Sequence, residues 1–432
     1  MAAWVGVAVL IGLSSELGIS DAPVGGKPFT DHTQPPSYRL LDEIESAQVS
    51  LGEAVFNTHR VGPLFNAASC DECHDYGARG RGPTGDGPAP VALIVQLRLP
   101  SADAGAAPAG DPVYGFVFNT AAVEGMKAEG NVTVQYREIE GHYYPDGARW
   151  RMRVPHYHLA GLNYGPLAPT TVIKPRLAPA LYGVGLLEAV AETAIRGGDT
   201  TEVAGKSEEP TAHASQGTRV PGRFGWQGDS LSVRDQTTKA FAREMGLTST
   251  DRPNDDCTPA EGDCLRMLDG ASPEVSDDRL EAVVAFVRSL AVPQPEPPAQ
   301  RASSGSKLFS DIGCGGCHRS RLPVQLPDAT GTNVSAVIAP YTDLQLHDMG
   351  IDMADEDVSG HKVASRWRTA PLWGLGYRIK TGTNPTFLHD GRARSVEEAI
   401  LWHAGEAARA RLNFVNLGPR AREALLRWLE EL

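Results

Sequence analysis

The chain of 432 residues has little cysteine, little positive charge and no long apolar segment. Its 40 lysines and arginines are outnumbered by 53 aspartates and glutamates, which gives a formal net charge of −13. An acidic surface repels phosphate backbones, so we expect no nucleic acid partner. It suits a redox partner that has a cationic face. Because no run of about 20 apolar residues occurs, the sequence predicts no membrane span.

The N-terminal segment MAAWVGVAVLIGLSSELGIS contains an apolar run of the length found in export signals. It lacks the basic residues that normally precede such a run. We interpret residues 1–40 as an export signal or an irregular lead-in, with a buried helix or strand near the N-terminus as the alternative. The first interpretation predicts a periplasmic or otherwise exported protein.

The six cysteines form three close pairs, and two of these pairs are followed directly by a histidine. Close pairs usually form disulfides in exported proteins, and metal or redox sites in cytosolic ones. The pair without a histidine lies in the polar loop DDCTPAEGDC, which predicts a disulfide between Cys257 and Cys264.

The other two pairs, in SCDECHD (69–75) and GCGGCHR (313–319), have the pattern C-x-x-C-H. Two cysteines at this spacing can form thioether bonds with haem, and the histidine that follows then binds the iron. A zinc site would need two further ligands nearby, and a thioredoxin-like pair would need a βαβ surround. The sequence therefore predicts two covalently bound c-type haems. Their ligands would be Cys70, Cys73 and His74 for the first haem, and Cys314, Cys317 and His318 for the second.

Apolar periodicity predicts a mainly α fold, with helices at 45–57, 178–198, 230–246, 276–291 and 419–432. Residues at about 83–170 instead alternate apolar and polar side chains in short stretches, which predicts a β-containing insertion. The proline-rich stretch 292–306 predicts a linker. We therefore expect two cytochrome-c-like haem domains, at 41–291 and 307–432, and each half repeats the order leading helix, C-x-x-C-H, amphipathic helix.

The segment RTAPLWGLG…FLHDGRARSVEEAILWHAGEA, 368–407, resembles the C-terminal signature of the bacterial di-haem cytochrome c peroxidases and of MauG. It most closely resembles their di-haem oxidoreductase branch, also called thiol oxidoreductase-like. The stretches GPLFNAASCDECHD, RLAPALYGVGLLEA and PYTDLQLHDMG also match, so the resemblance covers the chain from about residue 45 apart from the insertion.

The resemblance implies a haem peroxidase-type oxidoreductase that reduces hydrogen peroxide at the first haem with electrons relayed through the second. The position of the family's distal ligand to the second haem matches His403, fourteen residues after His389. His389 is the runner-up for that role, followed by Met349 and His347. The family's calcium ion is a further candidate cofactor, and its ligands would lie near Asn384.

The family's inter-haem tryptophan, glutamine and peroxide-pocket acid match Trp226, Gln236 and Glu244, although Glu244 comes two residues earlier than in the peroxidases. Glu188 is an alternative acid. Residues 75–141 contain no histidine, so we expect an open face at the first haem; His142, His156 and His158 come only later.

Two alternative functions remain open. One is MauG-like, peroxide-dependent oxidation of a partner protein, and the other is electron transfer without catalysis through two closed haems. For the peroxidase, the expected electron donor is a small redox protein, either a cytochrome c or a cupredoxin. Thiol oxidation has no free cysteine pair to support it.

Overall fold

The computed structural model describes residues 43–100, 109–196, 211–213, 219–267, 273–293, 304–327, 333–363, 365–382 and 384–432. The lead-in at 1–40 and most of the linker at 292–306 lie outside these ranges, so the interpretations made for them stay predictions. Among the helices in the described ranges, none is both long and apolar enough to cross a membrane.

The helices are α1 (Glu43–Phe56), α2 (Cys70–Cys73), α3 (Val184–Glu188), α4 (Glu192–Arg196), α5 (Val233–Glu244), α6 (Gly262–Met267), α7 (Asp277–Ser289), α8 (Ser304–Asp311), α9 (Leu375–Thr381), α10 (Val396–Leu401), α11 (Ala408–Val415) and α12 (Pro419–Leu429). Short 3-10 turns lie at Asp75–Gly77, Cys314–Gly316, Ile351–Met353 and Gly405–Ala407.

The strands are β1 (Leu64–Phe65), β2 (Gly87–Pro88), β3 (Leu93–Arg98), β4 (Val117–Phe118), β5 (Ala121–Ala122), β6 (Asn131–Tyr143), β7 (Arg149–Ala160), β8 (Val172–Leu177), β9 (Thr211–His213), β10 (Arg219–Pro221), β11 (Leu322–Pro327), β12 (Asn333–Ile338), β13 (Leu346–Asp348), β14 (Asp355–Asp357), β15 (Lys362–Val363) and β16 (Arg366–Arg368).

The prediction of a mainly α fold is wrong. The part of the chain that the structure describes is 33% helical and 23% strand. Its largest sheet has the order β15-β14-β8-β3-β4, so it combines strands of the predicted insertion with β8 and with two strands from the second half of the chain. Most of these strands are too short to give a periodic sequence signal, and they pair over long distances in sequence.

The predicted insertion also contains a long antiparallel hairpin, β6–β7. Its register runs from the pair Asn131 and Ala160 to the pair Tyr143 and Arg149. The hairpin lies against the second half of the chain, because Tyr144 at its tip is buried in the same apolar cluster as Trp402. The insertion therefore contributes to the core of both halves.

In each half of the chain, the leading helix crosses the amphipathic helix of the predicted repeat closely. Helix α1 crosses α7, where a Cβ at Gly52 would lie 2.0 Å from the carbonyl oxygen of Ala282. Helix α8 crosses α12 in the same way, where a Cβ at Gly305 would lie 2.5 Å from the carbonyl oxygen of Ala424. Glycine is thus required at each crossing. A C-x-x-C-H motif follows the first helix of each pair, α1 or α8.

The predicted helices at 230–246, 276–291 and 419–432 correspond to α5, α7 and α12. Ser232 caps α5, since its hydroxyl oxygen accepts a hydrogen bond from the backbone N–H of Asp235 at 3.0 Å, as expected of an N-cap serine. The stretch 178–198, which has one helical pattern, instead forms the two short helices α3 and α4. Val190 lies between them and makes a β-bridge to Val324.

Candidate di-haem site

One cavity of about 850 Å³ is lined by both C-x-x-C-H motifs. Its volume is near the upper end of the range for protein cofactor sites, about 300–1,000 Å³. The motif residues in its wall are Cys70, Cys73, His74, Cys314, Cys317 and His318. The fold therefore brings together two motifs that lie far apart in sequence.

The first motif forms a single helical turn, α2, and the backbone N–H of His74 donates to the carbonyl of Cys70 at 2.9 Å. Neither Cys70 nor Cys73 forms a disulfide. Burial lowers the pKa of His74 to about 4, so its imidazole is neutral at neutral pH. The neutral ring is the form that binds a metal ion.

The second motif faces His403 across the cavity. His318 donates from Nδ1 to the carbonyl of Tyr341 at 2.9 Å, and His403 donates from Nδ1 to the carbonyl of Ala399 at 2.8 Å. These bonds leave both Nε2 atoms available as ligands. The ring centroids are 6.4 Å apart, which fits one metal ion held at about 2 Å from each Nε2. Burial lowers the pKa of both rings, to about 4 for His318.

The three runner-up ligands also line the cavity, and the ring of His347 is engaged elsewhere. His347 donates from Nε2 to the Asp343 carboxylate at 3.0 Å and from Nδ1 to the Glu406 carboxylate at 2.8 Å. Burial alone would lower its pKa, but the bond to Asp343 raises it to about 11, so the ring stays charged and cannot bind a metal ion. His389 stacks on Trp367 with centroids 3.7 Å apart, and its Nδ1 is buried without a hydrogen bond. Met349 lines the same cavity.

Glu244 lies at the last turn of α5 and lines the cavity beside the first motif. Its backbone carbonyl accepts hydrogen bonds from Asn66 and Ala67. Burial and the nearby Glu244 carboxyl raise the pKa of the Cys73 thiol. The Oε2 atom of Glu244 is buried without a hydrogen-bond partner in the described structure. Burial raises the pKa of this carboxyl to about 7.

Gln236 lies on the same face of α5 as Glu244 and also lines the cavity. The two residues are eight positions apart, which is about 12 Å along the helix axis. They therefore reach different parts of the cavity, and Glu244 is the one beside the first motif.

Trp226 joins the surroundings of the two motifs. Its Nε1 donates to the carbonyl of Leu177 at 2.8 Å, and Leu177 belongs to the apolar cluster that contains Cys73. The Trp226 ring itself packs on the cluster that borders Cys314. The indole thus contacts the surroundings of both motifs.

Other candidates from the sequence lie away from the cavity. Glu188 does not line it, and its carboxylate accepts from the backbone N–H of Val233 and pairs with Arg288 at 2.5 Å. Asn384 is exposed. His156 and His158 lie on β7 and are not among the lining residues, and the side chain of His142 lies outside what is described.

The structure joins Cys257 to Cys264 in a disulfide with Cα atoms 5.8 Å apart. This bond closes a loop next to α6 and takes no part in the cavity wall.

Two arginines in the cavity wall, Arg79 and Arg378, could not be identified as site residues from the sequence. Arg79 follows the first motif in a glycine-rich loop, and Arg378 lies on the short helix α9. Neither arginine belongs to a recognisable sequence motif, so only the fold reveals that both guanidinium groups reach the same cavity.

A family model described as "Di-haem oxidoreductase, putative peroxidase" matches residues 171–432. The chain belongs to this family, and it is therefore a di-haem oxidoreductase whose cofactors are haems. No curated protein sequence matches the chain.

Two solved structures show a distant likeness. Hydrazine synthase from Kuenenia stuttgartiensis, pressurized with 20 bar xenon, has a TM-score of 0.38 and 14% identity, with 100% of each chain covered. A MauG-like protein associated with microbial copper homeostasis has a TM-score of 0.36 and 14% identity, with 92% of each chain covered.

The residues in the cavity fit two attached haems. Each motif offers a pair of thiols outside any disulfide and a buried neutral imidazole. The second motif has a matching imidazole, His403, on the opposite side. These donors are the ones that c-type haem requires.

Proposed function

We propose that this di-haem oxidoreductase is a c-type peroxidase that reduces hydrogen peroxide to water beside the first motif. The observation that carries the proposal is the single cavity lined by both motifs, with Trp226 in contact with the surroundings of both and the buried Glu244 beside the first. When bound, the haems supply a site for peroxide and the means of storing and transferring electrons. Reduction of one peroxide to two water molecules consumes two electrons and two protons.

The Glu244 carboxyl supplies the proton transfer. With a pKa of about 7, it is divided between its two protonation states near neutral pH, which suits a general acid–base group. Oε2 accepts a proton from one peroxide oxygen and delivers it to the other, which leaves as water. No hydrogen bond in the described chain competes for that oxygen atom.

The His318 and His403 rings close the second site from both sides, so this site receives and passes on electrons and does not bind peroxide. Trp226 provides an aromatic side chain that contacts the surroundings of both sites. Its hydrogen bond to Leu177 fixes the indole plane and keeps its N–H partnered.

The first site keeps an open face in this proposal. The described residues of the cavity wall include five histidines: His74, His318, His347, His389 and His403. Three of them are assigned to the two irons, and His347 is held by carboxylates. His389 is the remaining ring, and its stacking on Trp367 restrains it, so we expect it to stay off the iron.

We further propose that the protein is exported and receives electrons from a small redox protein such as a cytochrome c or a cupredoxin. Covalent attachment suits an exported cofactor protein, and the net charge of −13 favours a donor with a cationic face. A calcium ion near Asn384 remains a prediction from the family resemblance.

The test is the purified holoprotein. Intact mass should exceed that of the polypeptide by two haems, and the resting optical spectrum should contain one high-spin and one low-spin component. Peroxide should change the spectrum and be consumed with a reduced small cytochrome as donor. A colourless protein, or one whose haems both ignore peroxide, would refute the proposal. Peroxide-dependent covalent change in a partner protein, without turnover of the cytochrome, would instead favour partner oxidation.

A further inference from the structure

Two guanidinium groups in the cavity wall have no carboxylate partner in the described chain. Arg79 is 9% exposed, and its Nη2 donates to the carbonyl of Leu388. Its guanidinium also lies 5.1 Å from the ring centroid of Trp226. Arg378 lies over the ring of Phe387, at 4.5 Å from the centroid. The Nε atoms of both arginines are buried and make no hydrogen bond within the described residues.

Several other buried cations near the cavity are paired with acids. Arg176 makes two hydrogen bonds of 2.8 Å to the Asp355 carboxylate. Arg392 pairs with Asp390 at 2.9 Å, and His347 lies between two carboxylates. A further lining arginine, Arg368, donates to two backbone carbonyls. Arg79 and Arg378 differ from these residues, because each keeps a buried N–H group without any acceptor among the described residues. The Nε of Arg243, which also lines the cavity, makes no hydrogen bond in that part of the chain either, but it lies 3.4 Å from the carboxylate of Asp256.

An anion is the partner that would balance these two charges. A guanidinium group keeps its charge in proteins, and a buried charge is costly unless an opposite charge is close to it. Burial and the neighbouring Arg378 hold the pKa of Arg79 well below its ordinary value, and burial lowers that of Arg378. The carboxylate of Asp390 partly offsets this lowering of the Arg79 pKa, but it is already hydrogen-bonded to Arg392.

We propose that Arg79 and Arg378 form a carboxylate-binding site in the cavity wall. In the mature protein, the carboxylates would be the propionate groups of the cofactor attached at Cys70 and Cys73. The position of Arg79, five residues after His74, favours this cofactor over the one at the second motif. The planar fork of a guanidinium group matches a carboxylate in two parallel hydrogen bonds. This inference rests on the proposed di-haem function.

A free organic acid could supply the same chemistry, so the test has two arms. In the first arm, Arg79→Gln and Arg378→Gln are compared with Lys380→Gln, which removes an exposed charge from the same helix, α9. The midpoint potentials of the two haems are measured by optical titration, after intact mass has established that both haems are attached. No peroxide turnover is needed.

A buried cation beside the cofactor favours its reduced, less positive state. Each glutamine variant should therefore lower the midpoint potential of one haem. We expect at least a tenfold change in the redox equilibrium constant of that haem, and a tenfold change corresponds to 59 mV for one electron. The other haem and the Lys380→Gln protein should keep their wild-type potentials. Arg378→Lys keeps the charge but loses the fork, so it should give a smaller change; it also serves if Arg378→Gln does not accumulate. Unchanged potentials in all arginine variants would overturn the proposal.

In the second arm, the wild-type protein is titrated with acetate at constant ionic strength. A site filled by the cofactor's own carboxylates should give no saturable change in potential. A saturable change that disappears in Arg378→Gln would overturn the assignment to the cofactor. Because these measurements are made without peroxide, a holoprotein that is inert to peroxide would refute the proposed peroxidase and leave this site to be judged separately.

Discussion

Replacing Glu244 by glutamine should slow peroxide reduction and stabilise the folded protein at alkaline pH. Glutamine has nearly the shape of glutamate but cannot carry a proton between two oxygens. General acid–base groups typically contribute about 10²–10⁴-fold to a rate. We therefore expect peroxide consumption by Glu244→Gln to fall within that range, while its resting spectrum stays like that of the wild type.

The effect on stability follows from the pKa of the carboxyl. Burial raises it from 4.5 to about 7, and a change of one in pKa corresponds to about 1.4 kcal/mol. Ionising the buried carboxyl therefore costs the folded state about 3 kcal/mol. Because the folded-state pKa is the higher one, the wild type has its full stability below about pH 4.5 and loses this amount as the pH rises through about 7.

The glutamine variant has no such group, so its stability relative to the wild type should increase by up to about 3 kcal/mol between pH 4.5 and pH 8. Guanidinium chloride unfolding of both proteins at the two pH values measures the difference, and the shared packing change cancels. A pH-independent difference would show that the carboxyl of Glu244 is not perturbed by burial. An unchanged peroxide rate would show that another group transfers the proton.

Three further outcomes are expected. Replacing His403 by alanine should change the spin state of one haem and leave the other unchanged in the optical spectrum; no change in either would refute the ligand assignment. Arg153→Met should lower the unfolding free energy by about 3 kcal/mol, because Arg153 donates to the carbonyls of Pro83, Gly391 and Arg392. As the control, Arg137→Met at an exposed position of the same hairpin should change the unfolding free energy little. The pKa of His347 is raised to about 11, so the charged ring stabilises the protein fully below pH 6.5 and less as the pH rises towards 11. Asp343→Asn should reduce the dependence of the unfolding free energy on pH, measured from pH 7 to pH 9. An unaltered pH dependence would count against the ion pair.

The sequence predicted the helical parts of the fold well because each signal was local. Ser232 before α5 and the apolar spacing of α7 and α12 can be read within about a dozen residues. The large sheet could not be predicted in this way. Its strand β14 has three residues, and it pairs with β8 from the other half of the chain. Only the assembled tertiary structure selects such a pairing.

The same distinction holds for the site. The C-x-x-C-H motifs carry their chemistry in their own spacing, and the family resemblance pointed to His403, Trp226 and Glu244. The engagement of His347 by Glu406 depends on a contact across 59 positions of sequence. The meeting of Arg79 with Arg378 is likewise a product of the fold, so neither could be inferred from spacing.

The central position of β8 also bears on how the protein reaches its folded state. Its pairing with β3 joins residues 93–98 to residues 172–177. Its other edge pairs with Glu356 and Asp357, and the backbone N–H of Leu177 donates to the carbonyl of His389. Contacts over such distances form slowly, and an uncovered strand edge invites pairing with other chains. During synthesis, the backbone of β8 should therefore stay open on one side until nearly the entire polypeptide has emerged. We expect this interval to be when the newly made chain is most prone to aggregate.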